Sequence, residues 1–159
     1  GFKSWVKSDA DIVNSCFQLM HQAEVDMTLF FTLLANINVE KPALEVLLDS
    51  FYSIEKYQNN FVEFSAWLNR YALRVQKEPE SKEIRSIRMH QFNPRFVLRN
   101  YLAQQAIELA EKGDYQMIES LLTVLRNPYD VQSGYEKWQV KRPDWAKQKA
   151  GCSMLSCSS

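Results

Sequence analysis

The stretch QFNPRFVLRNYLAQQAIELAEKGDY, residues 91–115, carries start and stop signals for a helix on either side of an apolar arc. Asn93 reads as an N-cap, and Pro94 stands at the first helical position, where its missing N–H is no loss. Gly113 stands just past the end, where the chain needs a left-handed residue. At about 100° per residue, Phe96, Leu98, Leu102, Ala103, Ala106, Ile107, Leu109 and Ala110 fall on one broad face. The spacing therefore predicts a helix over 94–112. Asp114 then caps a further helix with Met117, Ile118, Leu121, Leu122 and Leu125 as its stripe. Two helices across a Gly-Asp joint predict an antiparallel hairpin.

Outward from this hairpin the same period recurs. Asp9 or Asp11 can open a helix with Ile12, Val13, Cys16, Phe17, Met20 and Ala23 on one side. Asp26 can cap a second, almost wholly apolar one through Phe30, Phe31, Leu33, Leu34 and Ile37, which Asn38 to Pro42 breaks. A third is expected from about Pro42, with Leu44, Leu47, Leu48, Phe51 and Tyr52 aligned. Asn59-Asn60 restarts the chain into Phe61, Phe64, Trp67, Leu68, Tyr71 and Val75, which Pro79 ends. The charged run Glu80 to His90 predicts a shorter, more exposed helix. From Asn127-Pro128 the chain reads as a loop, yet Tyr129, Tyr135, Trp138 and Trp145 predict that it packs along a surface. The fold class is all-α, six to seven helices over 1–126 and an extended tail over 127–159.

Composition narrows the function classes. Of 159 residues, 46% are apolar and 13% aromatic, enough for one sizeable core and not a disordered composition. Nineteen basic residues balance nineteen acidic ones, so no positive field draws nucleic acid or anionic membrane, and neither is expected as a partner. No apolar run approaches the ~18 residues of a membrane span. Three cysteines, Cys16, Cys152 and Cys157, do not read as a disulfide framework and favour a reducing compartment. A chain that opens on Gly1 rather than Met is expected to be a piece of something longer.

Chemistry is sparse. The glycines, at 1, 113, 134 and 151, are too far apart for a phosphate-cradling loop, and no D-F-G or H-R-D triplet appears. His21 and His90 lack metal-ligand spacing; a site from both with Cys152 and Cys157 competes with ordinary solvated or capping histidines, and no metal is expected. Cys16 lies in a core stripe and reads as a small buried hydrophobe. Glu40, Glu45, Asp49 and Glu55 read as a solvated face. Arg99 falls near the middle of the apolar arc of the 94–112 helix, where a guanidinium needs a carboxylate or carbonyls. It is either a salt bridge pinning neighbouring segments or part of an interface or ligand site.

Several stretches together resemble a known family. NPRFVLRNYLAQQAIELAEKGDY (93–115), LLTVLRNPYD (121–130), RPDWA (142–146) and the terminal SCSS (156–159) are similar, in order and spacing, to the carboxy-terminal region of the selenoprotein O family. DADIVNSCFQLMHQAEVDMTLFFTLL (9–34) and FSAWLNRYALR (64–74) resemble its preceding helical segment more loosely. KQKAGCSM (147–154), with its extra Cys152, departs from the usual bacterial form.

The resemblance implies a kinase-like fold and protein adenylyltransferase activity, moving AMP from ATP to protein hydroxyls. It implies that ATP and magnesium (or manganese) are bound upstream. This stretch would then supply the helical end of the carboxy-terminal lobe, inactive by itself. Its partners would be the upstream catalytic lobe and, for the whole protein, protein substrates, in bacterial cytoplasm or alternatively a mitochondrion. Cys157 would take the antepenultimate place held by selenocysteine in some relatives, a redox position that pairs with a cysteine of the catalytic lobe. Cys152 is a possible secondary thiol. Arg99, Asn100 and Trp145, within the shared motifs, are expected in structural or interface roles. A stand-alone helical protein-interaction module is the competing reading.

Overall fold

Helices account for nearly all the regular structure in the computed structural model, which describes residues 1–149, 151 and 152. Among the described residues there are seven α-helices: α1 (Asp9–Gln22), α2 (Met27–Leu34), α3 (Ile54–Asn59), α4 (Phe61–Val75), α5 (Lys82–Phe92), α6 (Asn100–Ala110) and α7 (Gln116–Arg126). There are also three 3-10 helices among the described residues, Leu44–Ser50 between α2 and α3, and Glu136–Trp138 and Asp144–Lys147 after α7. The only extended pairing described is an isolated antiparallel bridge between Val25 and Phe51. The chain divides into two compact units, Gly1–Asn93 and Pro94–Ser159.

The first unit is built on aromatic packing. Phe30 from α2 and Phe64 and Trp67 from α4 are buried together with Phe51, with Phe51 and Phe64 edge to face at 5.0 Å. Phe30 lies 5.7 Å from the Trp67 ring. The Trp67 indole N–H donates to the Ile12 carbonyl at 2.8 Å, fastening α4 to α1 and satisfying the one polar atom of a buried ring. Asp26 caps α2 by accepting from the Leu29 N–H at 3.0 Å, as the sequence predicts, and also accepts from the Tyr52 hydroxyl at 2.9 Å.

The segment after Pro42 departs from expectation. It is a 3-10 helix over Leu44–Ser50, and α3 follows separately. Leu44, Leu47 and Ser50 are all buried, and their spacing of three matches the three residues per turn of a 3-10 helix. The Ser50 hydroxyl donates to the Leu47 carbonyl at 2.6 Å, which makes a polar residue tolerable inside. Ser53 then caps α3 through the Lys56 N–H.

The second unit packs α6 against α7 around Phe96, Leu102, Ala106, Leu121 and Val124. Gly113 between them has φ +84°, and the Asp114 N–H reaches back to the Leu109 carbonyl at 3.0 Å, closing α6 as predicted. The start of α6 is corrected. Residues 94–99 are not helical, and α6 begins only at Asn100. Asn93 instead ends α5, its side-chain amide donating to the Met89 carbonyl at 2.7 Å. The Arg95 and Phe96 N–H groups both donate to the Pro128 carbonyl, at 2.8 and 3.1 Å. That distant acceptor replaces the intrahelical bonds a helix would have offered.

Residues 127–149, 151 and 152 lie along this helix pair. Gln132 donates its amide to the Val124 and Asn127 carbonyls at 2.9 and 2.8 Å, covering the carbonyls left open at the end of α7. Trp138, Ala146 and Cys152 are buried in the same core as Leu102 and Val124.

Candidate functional site

The site of interest is the seat that α6 provides for the chain on its way to Cys157. Tyr101, Gln104 and Glu108 recur at three and four residues, so they share one side of α6. Trp145, held on the 3-10 turn after Pro143, meets Tyr101 edge to face at 5.9 Å and an interplanar angle of 88°. The Lys149 ammonium lies 5.5 Å from the Trp145 ring centroid and 2.5 Å from a Glu108 oxygen. Gln104 donates to the same Glu108 oxygen at 3.2 Å. These two partners hold the Glu108 carboxyl below the usual carboxylate range.

Gly151 follows with φ +82°, and a side chain there would run into the Gln104 carboxamide. Its glycine is therefore a condition of the seat. The Cys152 N–H donates to the Lys149 carbonyl at 3.1 Å, and the Cys152 side chain is only 2% exposed.

The structure thus brings two of the sequence-predicted residues, Trp145 and Cys152, to the second unit's core and its α6 rim. Arg99 and Asn100 open the same helix. Arg99 is the half-buried residue where extended backbone (φ −75°, ψ 144°) turns helical, and its carbonyl accepts from the Leu102 and Ala103 N–H groups at 2.9 and 3.1 Å. Its place at a helix start, rather than mid-arc, follows from the shorter α6. Cys157 lies outside the described residues. Cys16, in the first unit, is buried beside Met20, and burial pushes its thiol up to about 12.

Sequence reasoning passed over Tyr101, Gln104, Glu108, Lys149 and Gly151. The 101/104/108 spacing was available as a signal; nothing local marked Lys149. As for metal, the described residues contain no group of three His, Cys, Asp or Glu able to hold an ion. The His90 Nε2 instead sits 3.3 Å from the Asn36 side-chain oxygen. No helix described is long and apolar enough to cross a membrane.

With this geometry in hand, the family model described as protein adenylyltransferase SelO matches residues 1–126. The chain belongs to the SelO family. Over 159 residues it is 52% identical to the protein nucleotidyltransferase YdiU of Tolumonas auensis, covering 100% of this chain and 31% of that relative. It is 48% identical to the proteins of the same name from Aromatoleum aromaticum and Methylobacillus flagellatus, again over 100% of this chain and 30% and 31% of theirs. The chain spans less than a third of the length of these curated relatives. The SelO match takes in the first unit, where the motif likeness is looser, and the YdiU alignments carry on through the Trp145 turn and the residues beyond it.

Proposed function

We propose that this chain is the carboxy-terminal part of a protein adenylyltransferase, serving to support the catalytic lobe and, through Cys157, to regulate it. The observation that carries the reading is the alignment: the whole chain matches nucleotidyltransferases, yet covers 30–31% of their length. ATP and magnesium (or manganese) belong to the remaining length, whose kinase-like lobe is the partner of this part. In the reaction a protein hydroxyl oxygen bonds to the α-phosphorus of ATP, the bond to the β-phosphate oxygen breaks, and pyrophosphate leaves. The residues described here contribute no group to that step. The bacterial relatives support a cytoplasmic setting.

The regulatory half rests on the seat described above. Trp145, Lys149 and Gly151 seat the chain on α6, and the terminal SCSS, which resembles the family's redox position, follows them in sequence. Its oxidation with a cysteine of the catalytic lobe forms one S–S bond, with two electrons and two protons passing to a low-molecular-weight disulfide.

The test is transfer of labelled AMP from ATP to protein by the full-length enzyme, the 159-residue chain and full-length Cys157→Ser, each under reducing and oxidising conditions. Transfer is expected only with full-length protein, with a redox response that Cys157→Ser lacks. Transfer by the short chain would overturn the assignment of chemistry to the missing length. An unchanged redox response in Cys157→Ser would remove the regulatory role, and full activity without residues 1–159 would favour a separate interaction module.

A further inference from the structure

The first turn of α5, together with the end of α4 and the loop after α2, surrounds a cleft of about 700 Å³. Gln76, Glu78, Glu80, Ser81, Lys82 and Arg85 are on its wall. Arg85 is the unusual member. It is 2% exposed, the largest of the fully buried side chains among the described residues. One of its terminal nitrogens donates to the Ile37 carbonyl at 2.6 Å, and its Nε has no hydrogen-bond partner among the described residues. A guanidinium is always charged and offers five donors, so a buried one needs more than a single carbonyl.

The acids nearby are already engaged. Glu78 is bound by Arg74 at 2.7 Å, and Glu80 by Arg88 at 2.6 Å. Glu83 is drawn to its own backbone N–H and to Ser81. Of the arginines at positions 74, 85 and 88, Arg85 is the one with no carboxylate among these contacts. The cleft also opens on the start of an eleven-residue helix, whose dipole presents partial positive charge there, with the Ile84 N–H already capped by the Ser81 side chain. Lys82, exposed at the first position of that helix, adds a full one.

We propose that this cleft binds an oxyanion, a phosphate or a carboxylate, received by the planar fork of Arg85 and assisted by Lys82 and the α5 N-terminus. Glu40, Glu78 and Glu80 on the same wall limit the affinity, so binding is weak and selective for geometry rather than for charge alone. This binding does not depend on the adenylyl-transfer reading.

The experiment follows the arginine Nε–Hε resonances of the ¹⁵N-labelled protein during titration with inorganic phosphate, acetate or chloride at constant ionic strength. One resonance, missing in Arg85→Lys, is expected to shift saturably with phosphate or acetate and not with chloride. Saturation with phosphate alone identifies a phosphate ligand; saturation with acetate as well identifies a carboxylate. Lys82→Gln, a change at an exposed residue, is expected to raise the apparent Kd roughly threefold, the effect of one partly screened charge. No saturable shift, or an equal one with chloride, overturns the site. If Arg85→Lys fails to fold, an unchanged apparent Kd in Lys82→Gln overturns it instead.

Discussion

Arg74 grips Asp9 across 65 residues of sequence, its Nε and Nη2 donating to the two carboxylate oxygens at 2.7 and 3.1 Å. Asp9 is fully buried and also accepts from the Val6 N–H at 2.9 Å, while Arg74 reaches the Ser4 carbonyl and Glu78. The pair therefore ties α1, α4 and the first eight residues together. Arg74→Leu leaves a buried carboxylate without its cation and is expected to lower stability by about 3 kcal/mol or more, measured by urea unfolding.

The same pair sets an acid limit. Burial pushes the Asp9 carboxyl up, but the Arg74 hydrogen bonds, the Val6 N–H and the Arg74 charge outweigh it and leave it below the ordinary value. Glu78 and Glu80 are likewise held down, by Arg74 and by Arg88. A carboxyl depressed in the folded state binds its proton more readily in the unfolded chain. Its contribution is complete above the ordinary carboxyl range and declines as pH falls below about 4, toward the folded value. The melting temperature of the first unit is expected to fall steeply below that point, and to fall less steeply in Asp9→Asn.

Phe64 touches Phe30 and Phe51 and has no solvent exposure. Phe64→Ala is expected to cost about 3–5 kcal/mol, the usual range for truncating a buried ring. A reduced urea midpoint with an unchanged slope would show that the loss is one of stability rather than of two-state behaviour.

Glycine is required at 151 for two separable reasons. Gly151→Ala meets both the positive φ and the Gln104 side chain. Gly134→Ala meets only the positive φ, with open space around it, and is expected to cost about 1 kcal/mol. Gly151→Ala is expected to cost more, and Gly151→Ala with Gln104→Ala to return to the Gly134→Ala level. Equal losses in all three proteins would show that the Gln104 contact is immaterial.

Thiol labelling tests the cysteine assignments. Cys16 is buried with its thiol pushed up to about 12, and Cys152 is 2% exposed. Both are expected to react slowly with a thiol reagent at pH 8, because the thiolate is the nucleophile and needs access. The redox reading expects one fast thiol per chain, lost in Cys157→Ser. Two fast thiols would mean that the Trp145–Gly151 seat opens readily.

How much of this was legible depends on where each segment finds its partners. The α2 cap at Asp26, the Gly113 stop and the stripes of α4 and α7 use contacts within a few residues, so local pattern suffices. Residues 94–99 misled because Asn93 and Pro94 carry start signals, while the actual acceptor, the Pro128 carbonyl, lies more than thirty residues away. Leu44, Leu47 and Ser50 were ambiguous because a run of seven residues fits both helical periods. The seat itself was hardest to see. A polar spacer such as KQKAGC gives no hint that its cysteine is buried, and Lys149 matters only through Glu108 on another element.

The Pro128 carbonyl has one more effect. By accepting from both Arg95 and Phe96, it clasps the two ends of a 34-residue stretch that contains the whole α6–α7 pair. A backbone break at the exposed Lys112–Gly113 bend would leave two pieces held by this clasp and by their shared core. The pair is thus suited to circular permutation at that bend, with new termini at the loop and the old ends already side by side.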